Sequence, residues 1–267
     1  MKKKKIYKYM TLFIAGLTSV HLYASSAGVD TKDLEKGIVH IGHKSSSGNR
    51  LKVMIEKDGQ KYTYNLDSQG KTETYPLQLG NGQYKISILE NTTGSKYKLV
   101  HTEEVTLAMK NPNDVYLNSI QSIEWSDTSG AIQKGNVLTK SIMNDEGKVS
   151  TLYDYITKDY SYDYNKLETL PTTYLPVIDE TFKVQSGICY DFSALYAAML
   201  RSQGIPVKLV KGYTPNAKGY HAWNEAYDVK TGTWSIIDTT YDLQMVKKNK
   251  VVNMKKKAED YEKTGEY

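Results

Sequence analysis

One thiol, one imidazole and one carboxylate, in that chain order, carry the chemistry this sequence can offer: Cys189, the single cysteine, then His221, then Asp238. Together they can act as nucleophile, base and orienter. The imidazole takes the thiol proton, or holds it as an ion pair, and later gives it to a leaving amine; the carboxylate fixes the imidazole tautomer. Such residues are common, so their settings decide. Ile188, Phe192, Leu195, Tyr196, Met199 and Leu200 recur at helical spacing. Ser186-Gly187 break the chain just before them, and Gly204 with Pro206 stops the helix. Cys189 therefore falls in the first turn, among unpaired amides at the positive end of the helix dipole, where a thiol ionises below its free value of about 8.5. The competing reading is a small buried hydrophobe.

His221 and Asp238 fall on two of the three strand-like runs after this helix, Val207 to Tyr213, Tyr220 to Tyr227 and Thr233 to Asp238. The midpoint between His221 and Asp238 lies inside the loop Asp228 to Gly232. A hairpin centred there sets the two directly across from each other, Cβ atoms roughly 5 Å apart. A centre at Lys230 puts them on opposite faces unless a bulge intervenes.

The elements upstream read as follows. From about Lys36 to Val115 the pattern alternates, with turn signals between runs, as an antiparallel sheet requires. Asp58-Gly59 predicts a two-residue hairpin opposing Ile55 with Tyr62, Val53 with Tyr64 and Leu51 with Leu66. Asn81-Gly82 predicts a second, opposing Leu79 with Tyr84, Leu77 with Ile86 and Tyr75 with Ile88. Further strands are expected at Gly37 to Lys44 and Tyr97 to Leu107. A helix begins at Asn144-Asp145, with Val149, Leu152, Tyr153 and Ile156 on its apolar face. Tyr160, Tyr162 and Tyr164 follow, read mainly as packed aromatics. The expected architecture is α+β. An all-β sandwich of immunoglobulin-like outline spans 28–120, a linker 121–140, a catalytic domain 141–245 with its nucleophile at a helix N-terminus packed on an antiparallel sheet, and a Lys-rich tail 246–267. That tail is read as a solvated face rather than a contact with anionic wall polymers. His40, His43 and His101 are read as surface or packing residues, not metal ligands.

The 267 residues suffice for two modest domains. Residues 1–27 read as a secretory signal: Lys2 to Lys5 and Lys8 form a charged start, Met10 to Val20 a short apolar core, and Ala24 to Ala27 the small residues of a cleavage site. Their removal takes five lysines and lowers the formal charge from +5 to zero, which disfavours a nucleic-acid partner. An exported chain with one cysteine cannot close an internal disulfide, so Cys189 is expected to be a free, reactive thiol.

Around these residues the sequence resembles the transglutaminase-like superfamily, whose core is shared with papain-type cysteine proteases. Three blocks carry the resemblance: Gly187-Ile188-Cys189-Tyr190-Asp191-Phe192 running into Leu200-Arg201-Ser202-Gln203-Gly204-Ile205-Pro206; Gly212-Tyr213 with Tyr220-His221-Ala222-Trp223-Asn224-Glu225; and Trp234-Ser235-Ile236-Ile237-Asp238-Thr239-Thr240. With Tyr162-Asp163 they cover about residues 141–243. The resemblance implies Cys189 as nucleophile, His221 as base and Asp238 as third member. It also implies an oxyanion held by the Cys189 amide and one upstream donor, Tyr162 first and Gln185 second. Asp191 and Glu225 are expected to cap or pair within the core. Thr239 stands where relatives often carry proline. The implied activity is thioester formation at an amide of a protein or cell-wall peptide, with hydrolysis favoured over cross-linking of lysine amines. A non-catalytic scaffold on the same fold is the remaining reading. The chemistry calls for no cofactor and no metal, and the expected protein is a secreted or cell-surface monomer, with cell-wall association as a further expectation.

Overall fold

The computed structural model describes residues 28–267; the signal segment read over 1–27 lies outside them. Alternating burial builds the first half. β1 (Gly28–Asp30), β2 (Ile38–Gly42) and β5 (Glu73–Pro76) form a three-stranded antiparallel sheet in the order β1-β2-β5. β3 (Leu51–Lys57), β4 (Gln60–Leu66), β6 (Gly82–Thr93) and β7 (Lys96–Leu107) form a four-stranded one in the order β4-β3-β6-β7. Val39, Ile41 and Tyr75 from the first meet Val53, Ile55, Ile86 and Ile88 from the second in one apolar cluster, as two sheets packed face to face require.

The first hairpin has the expected register, Ile55 opposite Tyr62, Val53 opposite Tyr64 and Leu51 opposite Leu66. Asp58 and Gly59 both have positive φ, 50° and 77°, the conformation a type I′ turn demands. The second expected hairpin does not form. Tyr75 pairs with Val39 in the three-stranded sheet, whereas Ile86 and Ile88 pair with Ile55 and Val53 in the other. Asn81 is not a turn residue here: its side-chain amide clamps the backbone of Met109, donating to its carbonyl and accepting from its N–H, each at 2.8 Å. The chain crosses between sheets instead, and the Tyr84 hydroxyl lies 2.8 and 2.7 Å from the carbonyls of Leu77 and Gly80.

The expected linker over 121–140 contains a helix, α1 (Gly130–Thr139), with Ala131, Ile132, Gly135 and Thr139 buried. Its apolar stripe is short and interrupted by Gly135, where a Cβ would sit 3.7 Å from Met199, so the pattern is weak although the packing is close. α2 (Asp145–Asp159) starts as expected, the Asn144 side chain accepting from the Gly147 amide at 2.7 Å. Val149, Leu152, Tyr153 and Ile156 are buried. After β8 (Ser161–Tyr162) come α3 (Tyr164–Thr169), α4 (Ile178–Val184), β9 (Ser186–Gly187), parallel to β8, and α5 (Cys189–Arg201). α5 is the centre of this half and is buried on nearly every side. It packs on β10 (Val207–Tyr213) and β11 (His221–Asp228), where Asn224 donates to the Ser193 carbonyl at 2.9 Å. β12 (Thr233–Ile237) and α6 (Thr239–Val246) follow.

The Lys-rich tail is a solvated face only in part: Lys247, Lys248, Lys250, Lys255 and Lys257 are exposed, but the residues after them are built into a sheet. Residues Glu262–Glu266 form β13, which completes the antiparallel sheet β12-β11-β10-β13. Three residues set among the lysines explain it: Tyr261 buries against Trp223 and Val210, Gly265 pairs with Lys211, and Tyr267 packs its ring edge on Tyr62 and Tyr64 of the N-terminal sheets. Gly212 makes room for the strand. A Cβ at Gly212 would lie 1.9 Å from the Glu262 carbonyl oxygen and 2.8 Å from the Trp223 ring. Gly212→Ala is therefore expected to push β13 off β10, with a stability loss of about 1–3 kcal/mol in urea unfolding and faster amide exchange across Glu262–Glu266. Unchanged exchange there would refute this account.

Candidate active site

The start of α5 is fixed from below by a buried acid. The Ile188 amide donates to Asp191 Oδ2 at 2.9 Å, Lys166 Nζ lies 2.7 Å from the same oxygen, and the Tyr174 hydroxyl donates to Oδ1. Asp191 is fully buried, so this pairing offsets the cost of taking its charge out of water. Gly187 must be glycine, since a Cβ would come within 2.8 Å of the Asp191 side chain. Cys189 follows as the first helical residue, a free thiol of intermediate exposure.

Tyr162 is carried to the same place by the short parallel pairing of β8 with β9. It stands beside Gly187, and the Asp163 amide donates to the Gly187 carbonyl at 2.8 Å. Burial, and then the neighbouring Cys189 sulfur, push the Tyr162 hydroxyl up to about 12. Gln185 is exposed, in the left-handed conformation that ends α4, and it is its carbonyl that is engaged, accepting from Ser161 at 3.0 Å.

His221 opens β11 opposite Gly212. Its Nε2 lies 2.9 Å from Asp238 Oδ2, its ring is 5% exposed, and Trp223 stacks on it at 6.4 Å. The register differs from the expectation. Asp228 pairs with Thr233 and Tyr227 with Trp234, so the hairpin centres between Lys230 and Thr231. Continued, that pairing would set His221 opposite Thr240, two residues beyond Asp238. An offset of two keeps both side chains on one face. Asp238 lies past the end of β12 as the N-cap of α6, and that turn carries its carboxylate to the imidazole. Its Oδ1 accepts from the Tyr241 amide at 2.9 Å, while Oδ2 also accepts from the Tyr261 hydroxyl at 2.9 Å. Thr239 is the first residue of α6, where a helix also accepts proline, so this departure leaves the cap intact.

The electrostatics favour a charged imidazole. Burial pulls His221 down, but the Asp238 hydrogen bond and then the Cys189 sulfur outweigh it and push the ring up to about 10. With Nε2 committed to Asp238, Nδ1 is the nitrogen left for the sulfur. Glu225, on the same strand, pairs with Lys263 at 3.0 Å and Lys208 at 3.9 Å.

Two side chains around this centre have no counterpart in the sequence reading. Tyr261, from the supposed tail, supplies the third donor to Asp238. Lys211, on β10, rests its ammonium 3.6 Å from the centroid of the Tyr190 ring and 5.2 Å from that of Tyr267. The histidines of the N-terminal sheets lie elsewhere: His40 is held by Asp33 at 2.7 Å and Thr74 at 2.9 Å. Among the described residues no three metal-ligating side chains gather.

Residues 133–239 match the family model of the transglutaminase-like superfamily. This segment belongs to that superfamily. The match starts at residue 133, within α1 and within the span 121–140 expected to be a linker. The uncharacterized protein YebA of Bacillus subtilis (strain 168) is 30% identical over 121 residues, 39% of this chain and 16% of YebA; the chain thus spans less than a fifth of that relative's length. Among solved structures, a protein of Cytophaga hutchinsonii provisionally assigned as a cysteine protease superposes with a TM-score of 0.43 at 16% identity, covering 74% of this chain and 68% of the other. Legionella pneumophila LapG gives 0.35 at 15%, covering 43% and 66%. Red sea bream transglutaminase gives 0.33 at 11%, covering 76% and 48%.

Proposed function

We propose that this protein is an exported cysteine-dependent enzyme that attacks amide bonds of proteins or cell-wall peptides through a thioester and passes the acyl group to water. The observation that carries the reading is the 2.9 Å contact from His221 Nε2 to Asp238, which leaves Nδ1 for the Cys189 sulfur. Cys189 adds to the amide carbonyl, and the negative charge moves to the oxygen. The first-turn amide of Cys189 receives that oxygen, with the Tyr162 hydroxyl as second donor and Gln185 the alternative. The C–N bond then breaks as the imidazolium gives its proton to the leaving amine. Water next attacks the thioester, the imidazole takes its proton, and the carboxylic acid and the thiol are restored. Every group in this cycle is a side chain or amide of the chain itself, and no cofactor takes part.

Residues 1–27 support export to the cell surface or medium. The N-terminal sheets fit an immunoglobulin-like sandwich, in which the Tyr84 hydroxyl closing on Leu77 and Gly80 acts as a tyrosine corner. The sandwich adds no titratable group to the reaction and would serve as a spacer, wall-binding module or substrate platform for a monomer.

The deciding experiment incubates the mature protein with a glutamine peptide and a labelled primary amine, following ammonia release and amine incorporation together. Ammonia without incorporation is the expected result. Incorporation would replace hydrolysis by cross-linking as the reaction. Neither product, together with no labelling of Cys189 by iodoacetamide near neutral pH, would leave only the non-catalytic scaffold.

A further inference from the structure

The charge pattern around the site contains one ammonium without an acid. Neighbouring lysines each hold a carboxylate: Lys166 pairs with Asp191 at 2.7 Å, and the more deeply buried Lys256 and Lys208 pair with Asp242 at 2.6 Å and Glu266 at 3.1 Å. Among the described residues Lys211 has no such partner. It sits on β10 opposite Ala222, beside Gly212, which faces His221. Its ammonium rests on Tyr190, the residue after Cys189. On the strand it takes an inward position, in step with Val207 and Leu209, which pack against α5.

Holding an ammonium there is costly. Burial pushes the Lys211 amine down to about 8, and only the Cys189 sulfur works against that shift. Two aromatic faces return part of the cost. They leave the N–H donors without a carboxylate acceptor, on the ring of the residue that follows Cys189.

We propose that Lys211 is the specificity-determining residue of this site, an ammonium that receives a substrate carboxylate carried next to the scissile amide. The proposal rests on the reading of Cys189 as nucleophile. It selects anionic acyl donors, either γ-amides flanked by an α-carboxylate or peptide bonds beside an acidic side chain.

The single cysteine allows a test that needs no knowledge of the natural substrate. Iodoacetate and iodoacetamide alkylate a thiolate by the same step, an S–C bond forming as iodide leaves, and they differ by one negative charge. The ratio of their rates cancels the thiolate fraction. The wild-type ratio is expected to exceed that of glutathione by about tenfold, the scale of one charge-assisted contact. It should fall to about one tenth in Lys211→Met and be kept in Lys211→Arg. His221→Gln removes the other cation and should keep the raised ratio, which covers the case in which Lys211→Met fails to fold. A wild-type ratio equal to that of glutathione, an unchanged ratio in folded Lys211→Met, or its loss in His221→Gln overturns the proposal. A Cys189 that reacts with neither reagent overturns the nucleophile reading instead.

Protection of wild-type Cys189 from iodoacetamide then separates the two carboxylate sources. The probes are γ-glutamylalaninamide and N-acetyl-aspartyl-alaninamide. Whichever protects, with protection lost in Lys211→Met, identifies the donor class. Protection by neither overturns the substrate assignment.

Discussion

Cys189→Ser is expected to abolish amide cleavage, by about 10⁴-fold or more, while leaving stability nearly unchanged. The size follows from the state of the imidazole. A serine hydroxyl needs a free base to take its proton, whereas His221 is pushed up to about 10 by Asp238 and the sulfur together. Removing the sulfur takes away one of these influences, but the Asp238 hydrogen bond stays. Near neutral pH the ring therefore remains largely protonated and cannot activate a hydroxyl. Stability should hold because Cys189 is of intermediate exposure and serine changes only its Sγ to a hydroxyl oxygen. Ammonia release from a glutamine peptide and urea unfolding of both proteins provide the check. Full activity in the serine variant would end the thioester mechanism.

Features set by neighbours in sequence were legible in it. Asp58-Gly59 defines its hairpin because both residues must take positive φ, and the flanking apolar pairs admit one register. Cys189 at a helix start was legible from the break at Ser186-Gly187 and the periodicity after it. The Asn81-Gly82 turn failed because Leu77, Tyr75, Ile86 and Ile88 bury equally well in either sheet of the shared core, so alternation does not say which strand pairs with which. Asp238 was half legible. Parity along the hairpin fixes the face shared with His221, but the two-residue offset depends on where β12 ends and α6 begins. Tyr261 reaches Asp238 only because β13 returns to β10, a contact between distant parts of the chain that leaves no local pattern. Lys211 did leave one: a lysine at an inward position after Val207 and Leu209 breaks the rule that sheet faces against a helix are apolar.

Asp238 is where fold and chemistry meet, so its replacement should damage both. In Asp238→Ala the α6 cap is lost, at about 1 kcal/mol. The Tyr261 hydroxyl and His221 Nε2 lose their acceptor inside the protein, at about 1–3 kcal/mol each. That is a large share of the ~5–15 kcal/mol that holds a domain folded. Asp238→Asn keeps the volume and separates charge from cap. In the wild type, His221 keeps its proton in the folded state up to about 10, above its ordinary value of 6.5. The folded state then binds the extra proton, and its contribution is complete below about 6.5. It is lost as pH rises toward 10, with a slope of at most ~1.4 kcal/mol per pH unit. Asp238→Asn removes the main upward influence on the ring, so its urea midpoint should be lower at pH 6 and should fall less between pH 6.5 and 10. Activity should drop by about 10⁴-fold through loss of the imidazole's orientation. Urea midpoints of the two proteins across that range decide the matter: parallel curves would mean that His221 and Asp238 do not share a proton, and the assignment of Asp238 as the orienter would fall with them.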